Sequence, residues 1–305
     1  MPFLLWVCPH RIRLRRLGLS KQPDLLESES LQFLLDFSIL SMISVPGPLV
    51  EVRCHPPVGA IVLNRPDKQN ALSRDMLHQI IQALDDLHQE AKVRGIVLSA
   101  QGNAFCTGID LQEMLETSQQ DEAWELWHKD AVLFKEVVEK MLRFPKPIIA
   151  TIQGEALAGG CGLALASDLV IGTPEAAFGL TEPRRGLVAG IVAPLLNFRV
   201  GASRAAHMLL TARTFSADEA LRMGVLHEMV EPEQLYGRAC ELCEEIAQSA
   251  PSAIQLTKRM INETIGEQLL TMLSAGAAAS ATARTTAAAA EGLEAFREER
   301  DPHWD

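Results

Sequence analysis

The 305 residues contain no His-x-x-x-His and no His-Glu-x-x-His, so a zinc hydrolase is unsupported. No Gly-x-Gly-x-x-Gly occurs, and no Gly-Lys-Ser or Gly-Lys-Thr. The dinucleotide fingerprint and the P-loop are therefore missing. Cysteine is sparse: Cys8, Cys54, Cys106, Cys161, Cys240 and Cys243 are scattered along the chain. That excludes a dense disulfide framework and fits a reducing compartment. Cys240-Glu241-Leu242-Cys243 has the Cys-x-x-Cys spacing but no second pair. It reads as two cysteines of one helix rather than a metal or redox site. Positive charge is not in excess; the net charge of −11 argues against a nucleic-acid backbone as the main partner. Long apolar runs are missing too. Residues 31–45 are too short, and are interrupted by Asp36, so no membrane span is expected.

What remains is a composition of 48% apolar and 22% charged residues, enough for a sizeable core in one large domain or two modest ones. Residues 1–41 differ from the rest. They hold Arg11-Ile12-Arg13-Leu14-Arg15-Arg16, and no acidic residue precedes Asp24. Two readings are open: an organelle targeting segment, or an upstream extension with the protein proper starting at Met42. The second is favoured. The expected location is accordingly cytoplasmic, or mitochondrial if the basic segment is a targeting sequence.

Residues 50–54 and 59–63 read as strands of a hairpin around Pro56-Pro57. Ser73 is a plausible N-cap for a helix whose apolar residues Met76, Leu77, Ile80, Ile81, Leu84 and Leu87 recur at helical spacing. Further strands are expected at 95–98, 147–152 and 168–172. Helices are expected at 121–143, 201–210, 217–223, 232–247, 252–264 and, rich in alanine, 269–299. Strands and helices alternate over the first two-thirds, which predicts an α/β fold with a helical tail.

Two glycine turns carry the candidate chemistry. One is Gly102-Asn103-Ala104-Phe105-Cys106-Thr107-Gly108-Ile109-Asp110-Leu111; Gly108 permits a tight turn that frees the Ile109 N–H. The other is Gly154-Glu155-Ala156-Leu157-Ala158-Gly159-Gly160-Cys161-Gly162, where Gly159 opens a helix and its N–H lies at the positive end of the dipole. Either turn alone reads more readily as close packing. If they meet in space, they form a two-donor oxyanion hole.

Taken together and in order, these segments resemble the crotonase (enoyl-CoA hydratase/isomerase) superfamily. Asn64-Arg65-Pro66-Asp67-Lys68-Gln69-Asn70-Ala71-Leu72, Phe144-Pro145-Lys146-Pro147, Phe178-Gly179-Leu180-Thr181-Glu182, Gly186-Leu187-Val188 and Glu291-Gly292-Leu293-Glu294-Ala295-Phe296 join the two turns. The resemblance covers about residues 48–300. It implies an N-terminal extension at 1–41, a crotonase core at 42–240 and a C-terminal helical region at 241–305. The implied fold is a ClpP/crotonase-like spiral of ββα units closed by a helical trimerisation region. The implied assembly is a homotrimer or a dimer of trimers. The implied partner is an acyl-CoA substrate, with no cofactor beyond its coenzyme A moiety and no metal, nucleic acid or membrane. Its thioester carbonyl would lie between the N–H groups of Ile109 and Gly159. The CoA would rest against Lys68, Ala71, Ile109, Asp110 and Leu111.

The hydratases of this family use two glutamates. One falls at Gly162, which has no side chain; the other is Glu182. Isomerisation, in which one carboxylate moves a proton between two carbons, is therefore favoured over hydration. A CoA-thioester hydrolase and a non-catalytic acyl-CoA-binding protein are the alternatives. Arg184 and Arg185 would lower the Glu182 pKa if they approached it. Glu155 reads as exposed and Asp168 as structural. The apolar run Leu187-Val188-Ala189-Gly190-Ile191-Val192 is expected to shape the acyl pocket, with Ile191 as its test residue.

Overall fold

Val50–His55 (β1) and Val58–Leu63 (β2) pair antiparallel, Val50 opposite Leu63, in a computed structural model that describes residues 47–304. The readings of residues 1–41 lie outside the described residues. β2 is buried along its whole length, while β1 keeps an exposed edge. Helix α1 (Arg74–Gln89) follows, and Ser73 caps it by accepting the Met76 N–H. Met76, Leu77, Ile80, Ala83, Leu84 and Leu87 form its buried stripe. Next come β3 (Gly95–Ala100), α2 (Leu111–Ser118), α3 (Ala123–Arg143) and β4 (Ile148–Ile152). Then β5 (Glu155–Leu157), α4 (Gly159–Ala166), β6 (Leu169–Gly172) and β7 (Ala177–Gly179) complete the region of the second glycine turn.

The chain continues through α5 (Val192–Val200), α6 (Ala202–Thr211), β8 (Thr214–Ser216), α7 (Ala217–Met223) and β9 (Glu228–Met229). It ends in α8 (Leu235–Ala247), α9 (Pro251–Arg259), α10 (Glu267–Ala283) and α11 (Ala287–Arg297). Two sheets result. The larger runs β1-β2-β3-β4-β6-β9 and is parallel from β2 onward; the smaller runs β5-β7-β8. Side chains alternate across the large sheet. Ile96 and Leu98 enter the main core, whereas Val97, Ile149 and Ile171 pack on Leu235, Ala239 and Cys243 of α8. This layered mixed α/β arrangement agrees with the fold that the resemblance implies.

The structure departs from the sequence-based elements at several places. β5, β7 and β8 are three residues each, too short to show a period. Asp110 starts α2 by accepting the N–H groups of Gln112 and Glu113. Val192–Val200 is a separate helix. The expected alanine-rich helix is two: Arg284 follows α10, and Thr286 caps α11 through the Ala289 N–H. Among the described residues no helix is long and apolar enough to cross a membrane.

Candidate active site

The two glycine turns are hydrogen-bonded to each other. The Cys106 N–H donates to Glu155 O at 3.0 Å, and the Leu157 N–H donates to Cys106 O at 2.9 Å. Gly108 has φ +101°, and a Cβ there would lie 2.7 Å from Ala158 Cβ and 3.1 Å from the Gly159 nitrogen. Leu72 grips the first turn on its other side. Its N–H donates to Gly108 O, and its carbonyl accepts the Asp110 N–H. Backbone groups alternate in direction along such a segment, so the Ile109 N–H faces away from Leu72. Gly159 is the first residue of α4, where N–H groups have no partner inside the helix. Neither the Ile109 nor the Gly159 N–H donates to a described residue, and both residues line one cleft of about 660 Å³.

A Cβ on Gly160 would overlap the Cys106 carbonyl oxygen. That oxygen belongs to the backbone and is held by Leu157, so it cannot step aside cheaply. Gly160→Ala is expected to cost about 3 kcal/mol and to separate the turns. Chemical denaturation would measure the first effect, and loss of activity the second. Ala158 pays a smaller conformational cost at φ 48°, ψ −121°. Ala158→Gly is expected to raise stability by roughly 1 kcal/mol in the same measurement.

Glu182 begins a short 3-10 turn, Glu182–Arg185, and lines the cleft. Its Oε2 is buried without a hydrogen-bond partner. Burial raises its pKa to about 7, against a smaller opposing backbone hydrogen bond. The lowering by arginine that the sequence allowed does not occur. Arg184 is exposed, and the Arg185 guanidinium lies 5.7 Å from the Phe296 ring centroid.

The position expected to lack a carboxylate is not an open space. A Cβ on Gly162 would meet Val192 Cγ2 at 2.9 Å and Phe134 Cζ at 3.1 Å. Both side chains line the cleft, so an apolar wall stands there. Ile191 is buried in the same wall.

Lys68, Ala71, Ile109, Asp110 and Leu111 all border the cleft, with Lys68 exposed. The Asp110 carboxylate is occupied: it caps α2 and meets Arg65 Nη1 at 2.6 Å. Glu155 is exposed and also borders the cleft. Asp168 lies elsewhere, accepting the Ile148 N–H and pairing with buried Lys258 at 2.6 Å. Sequence reading missed Ala131 and Phe134 from α3, and Ser280, Arg284 and Phe296 from the C-terminal region. Arg284 did leave a signal: it is the one charged residue between Glu267 and Glu291.

The family model for enoyl-CoA hydratase/isomerase matches residues 55–305. A Thermus thermophilus protein, provisionally named enoyl-CoA hydratase, is 37% identical over 81% of this chain and 97% of its own length. The short-chain-enoyl-CoA hydratase of Clostridium acetobutylicum is 31% identical over 80% of this chain and 92% of its own. Among solved structures, an enoyl-CoA hydratase/isomerase from Xanthobacter autotrophicus Py2 superposes with a TM-score of 0.77 at 29% identity. It covers 82% of this chain and 93% of its own.

Proposed function

The chain belongs to the enoyl-CoA hydratase/isomerase family, and from that premise we propose that it shifts the double bond of acyl-CoA thioesters through an enolate. The carrying observation is the pairing of Glu182, whose buried Oε2 has no hydrogen-bond partner, with an apolar wall at Gly162. A 3-enoyl-CoA binds with its thioester oxygen toward the Ile109 and Gly159 N–H groups. Ionised Glu182 removes a proton from C2, and negative charge moves onto that oxygen. The two N–H groups stabilise it. Protonated Glu182 then delivers the proton to C4, giving the 2-enoyl-CoA and restoring the carboxylate. A pKa of about 7 suits both halves, because the group gives and takes a proton with equal ease near neutrality.

Hydration needs a water held and polarised beside C3. Phe134 and Val192 offer it no acceptor or donor. Lys68 and the exposed loop around it support a reading of this rim as the CoA side. Exposed Leu256, Met260, Ile261 and Ile265 support assembly into a trimer or a pair of trimers.

The test is incubation with 3-enoyl-CoA in heavy water. The expected products are 2-enoyl-CoA and α-deuterium. Free CoA as the main product would replace this reading with thioester hydrolysis. No exchange with any thioester would leave only binding.

A further inference from the structure

One cation is buried in the cleft wall, and no described anion is dedicated to it. Arg284 follows α10 and is 8% exposed. Its five N–H donors make a single hydrogen bond among the described residues, from Nη1 to Trp127 O at a long 3.4 Å. Its nearest carboxylate, Asp130, is 3.7 Å away. That carboxylate is already taken: Arg74 donates to both of its oxygens, at 2.6 and 2.8 Å. Glu113 is turned toward Arg74 as well, accepting its backbone N–H. The other carboxylates of the cleft are not its partners: Glu182 receives no contribution from Arg284, and buried Asp110 meets Arg65. Burial lowers the Arg284 pKa to about 10, with Arg74 adding to the effect and Asp130 only partly opposing it.

The placement gives this cation a direction along the cleft. Phe134 of α3 touches the site at Gly159 and Gly162. Asp130 and Trp127, which approach Arg284, lie one and two turns back along the same helix. That is roughly 6–10 Å along its axis from Phe134. Leu187, Ile191 and Ala131 supply apolar wall in the same cleft. A guanidinium buried in such surroundings offers a planar fork of donors to a carboxylate. The CoA phosphates have an exposed lysine, Lys68, at the rim instead.

We infer that the cleft takes acyl-CoA thioesters whose acyl chain ends in a second carboxylate, held by Arg284. This rests on the acyl-CoA reading above and narrows its substrate class.

The test is calorimetric titration of the full chain with saturated thioesters, which have no double bond to move. Hexanoyl-CoA is compared with hexanedioyl-CoA, and octanoyl-CoA with octanedioyl-CoA, with free CoA as a fifth ligand. The dicarboxylic thioester is expected to bind about tenfold or more tightly at one of the two lengths, as a charge-assisted hydrogen bond provides. That preference should collapse in Arg284→Met and return in part in Arg284→Lys. Equal or tighter binding of the monocarboxylic thioester at both lengths overturns the inference, and needs no variant. So does a preference that survives Arg284→Met. So does a loss of free-CoA binding in Arg284→Met as large as the loss for the dicarboxylic thioester, which would place a CoA phosphate on Arg284. Failure of all five ligands to bind the wild-type chain would sink the acyl-CoA reading itself.

Discussion

Glu182→Gln is expected to lower α-proton exchange and isomerisation of 3-enoyl-CoA by about 10²–10⁴-fold, the range a positioned acid/base supplies. The amide keeps the shape of the side chain but accepts no proton at neutral pH. Thioester affinity should change far less, because the Ile109 and Gly159 N–H groups are untouched. The wild-type pH profile carries a second signature. Ionised Glu182 starts the reaction, so kcat/KM should rise from acid pH and reach half its plateau near pH 7. Stability should move the opposite way. The folded-state pKa lies above the ordinary value of 4.5, so the folded chain holds this proton more tightly than the unfolded chain. The stabilisation is complete below about pH 4.5 and is lost as pH rises through about 7. It amounts to at most ~3 kcal/mol. Glu182→Gln should flatten that part of the curve, and denaturant titrations at pH 5 and pH 8 would read it.

Gly162→Glu is expected to destabilise the protein by about 3 kcal/mol or more without creating hydration activity. The first added atom already meets Val192 and Phe134, so the side chain overpacks a filled core. The rest of it brings a carboxylate into an apolar wall without a described donor. Opening the space should change the outcome. Gly162→Glu combined with Phe134→Ala and Val192→Ala is expected to gain measurable hydration while staying less stable than the parent, because emptying the Phe134 and Val192 sites has its own packing cost. Thermal melts and a 2-enoyl-CoA hydration assay check the two parts. Full stability in the single variant would mean that the wall is softer than its contacts indicate.

The residues that were legible in the sequence are those whose roles follow from local chemistry. Ser73 announces a helix because its hydroxyl caps the Met76 N–H. The stripe from Met76 to Leu87 announces which face is buried. Gly108 is readable as a turn because its backbone needs φ +101°. The three-residue strands β5, β7 and β8 were not readable, since they exist through pairing partners distant in sequence. The state of Gly162 was half readable. Its lack of a side chain is in the sequence, but the Phe134 and Val192 that fill the space come from two other helices. The direction of the Glu182 pKa was not readable at all. The adjacent Arg184 and Arg185 suggest lowering, but burial dominates, with Arg184 exposed and Arg185 set beside Phe296. Arg284 falls inside the single alanine-rich helix expected at 269–299, and its place in the cleft depends on α3 passing beside it.

The central claim is that one carboxylate, two N–H donors and an apolar wall favour moving a double bond over adding water. The most direct measurement is kcat/KM for isomerisation of a 3-enoyl-CoA beside kcat/KM for hydration of the 2-enoyl-CoA of equal chain length, using one preparation. The acyl group should be dicarboxylic in one pair and monocarboxylic in the other. Isomerisation is predicted to exceed hydration in whichever pair reacts faster. Hydration exceeding isomerisation in that pair would contradict the account.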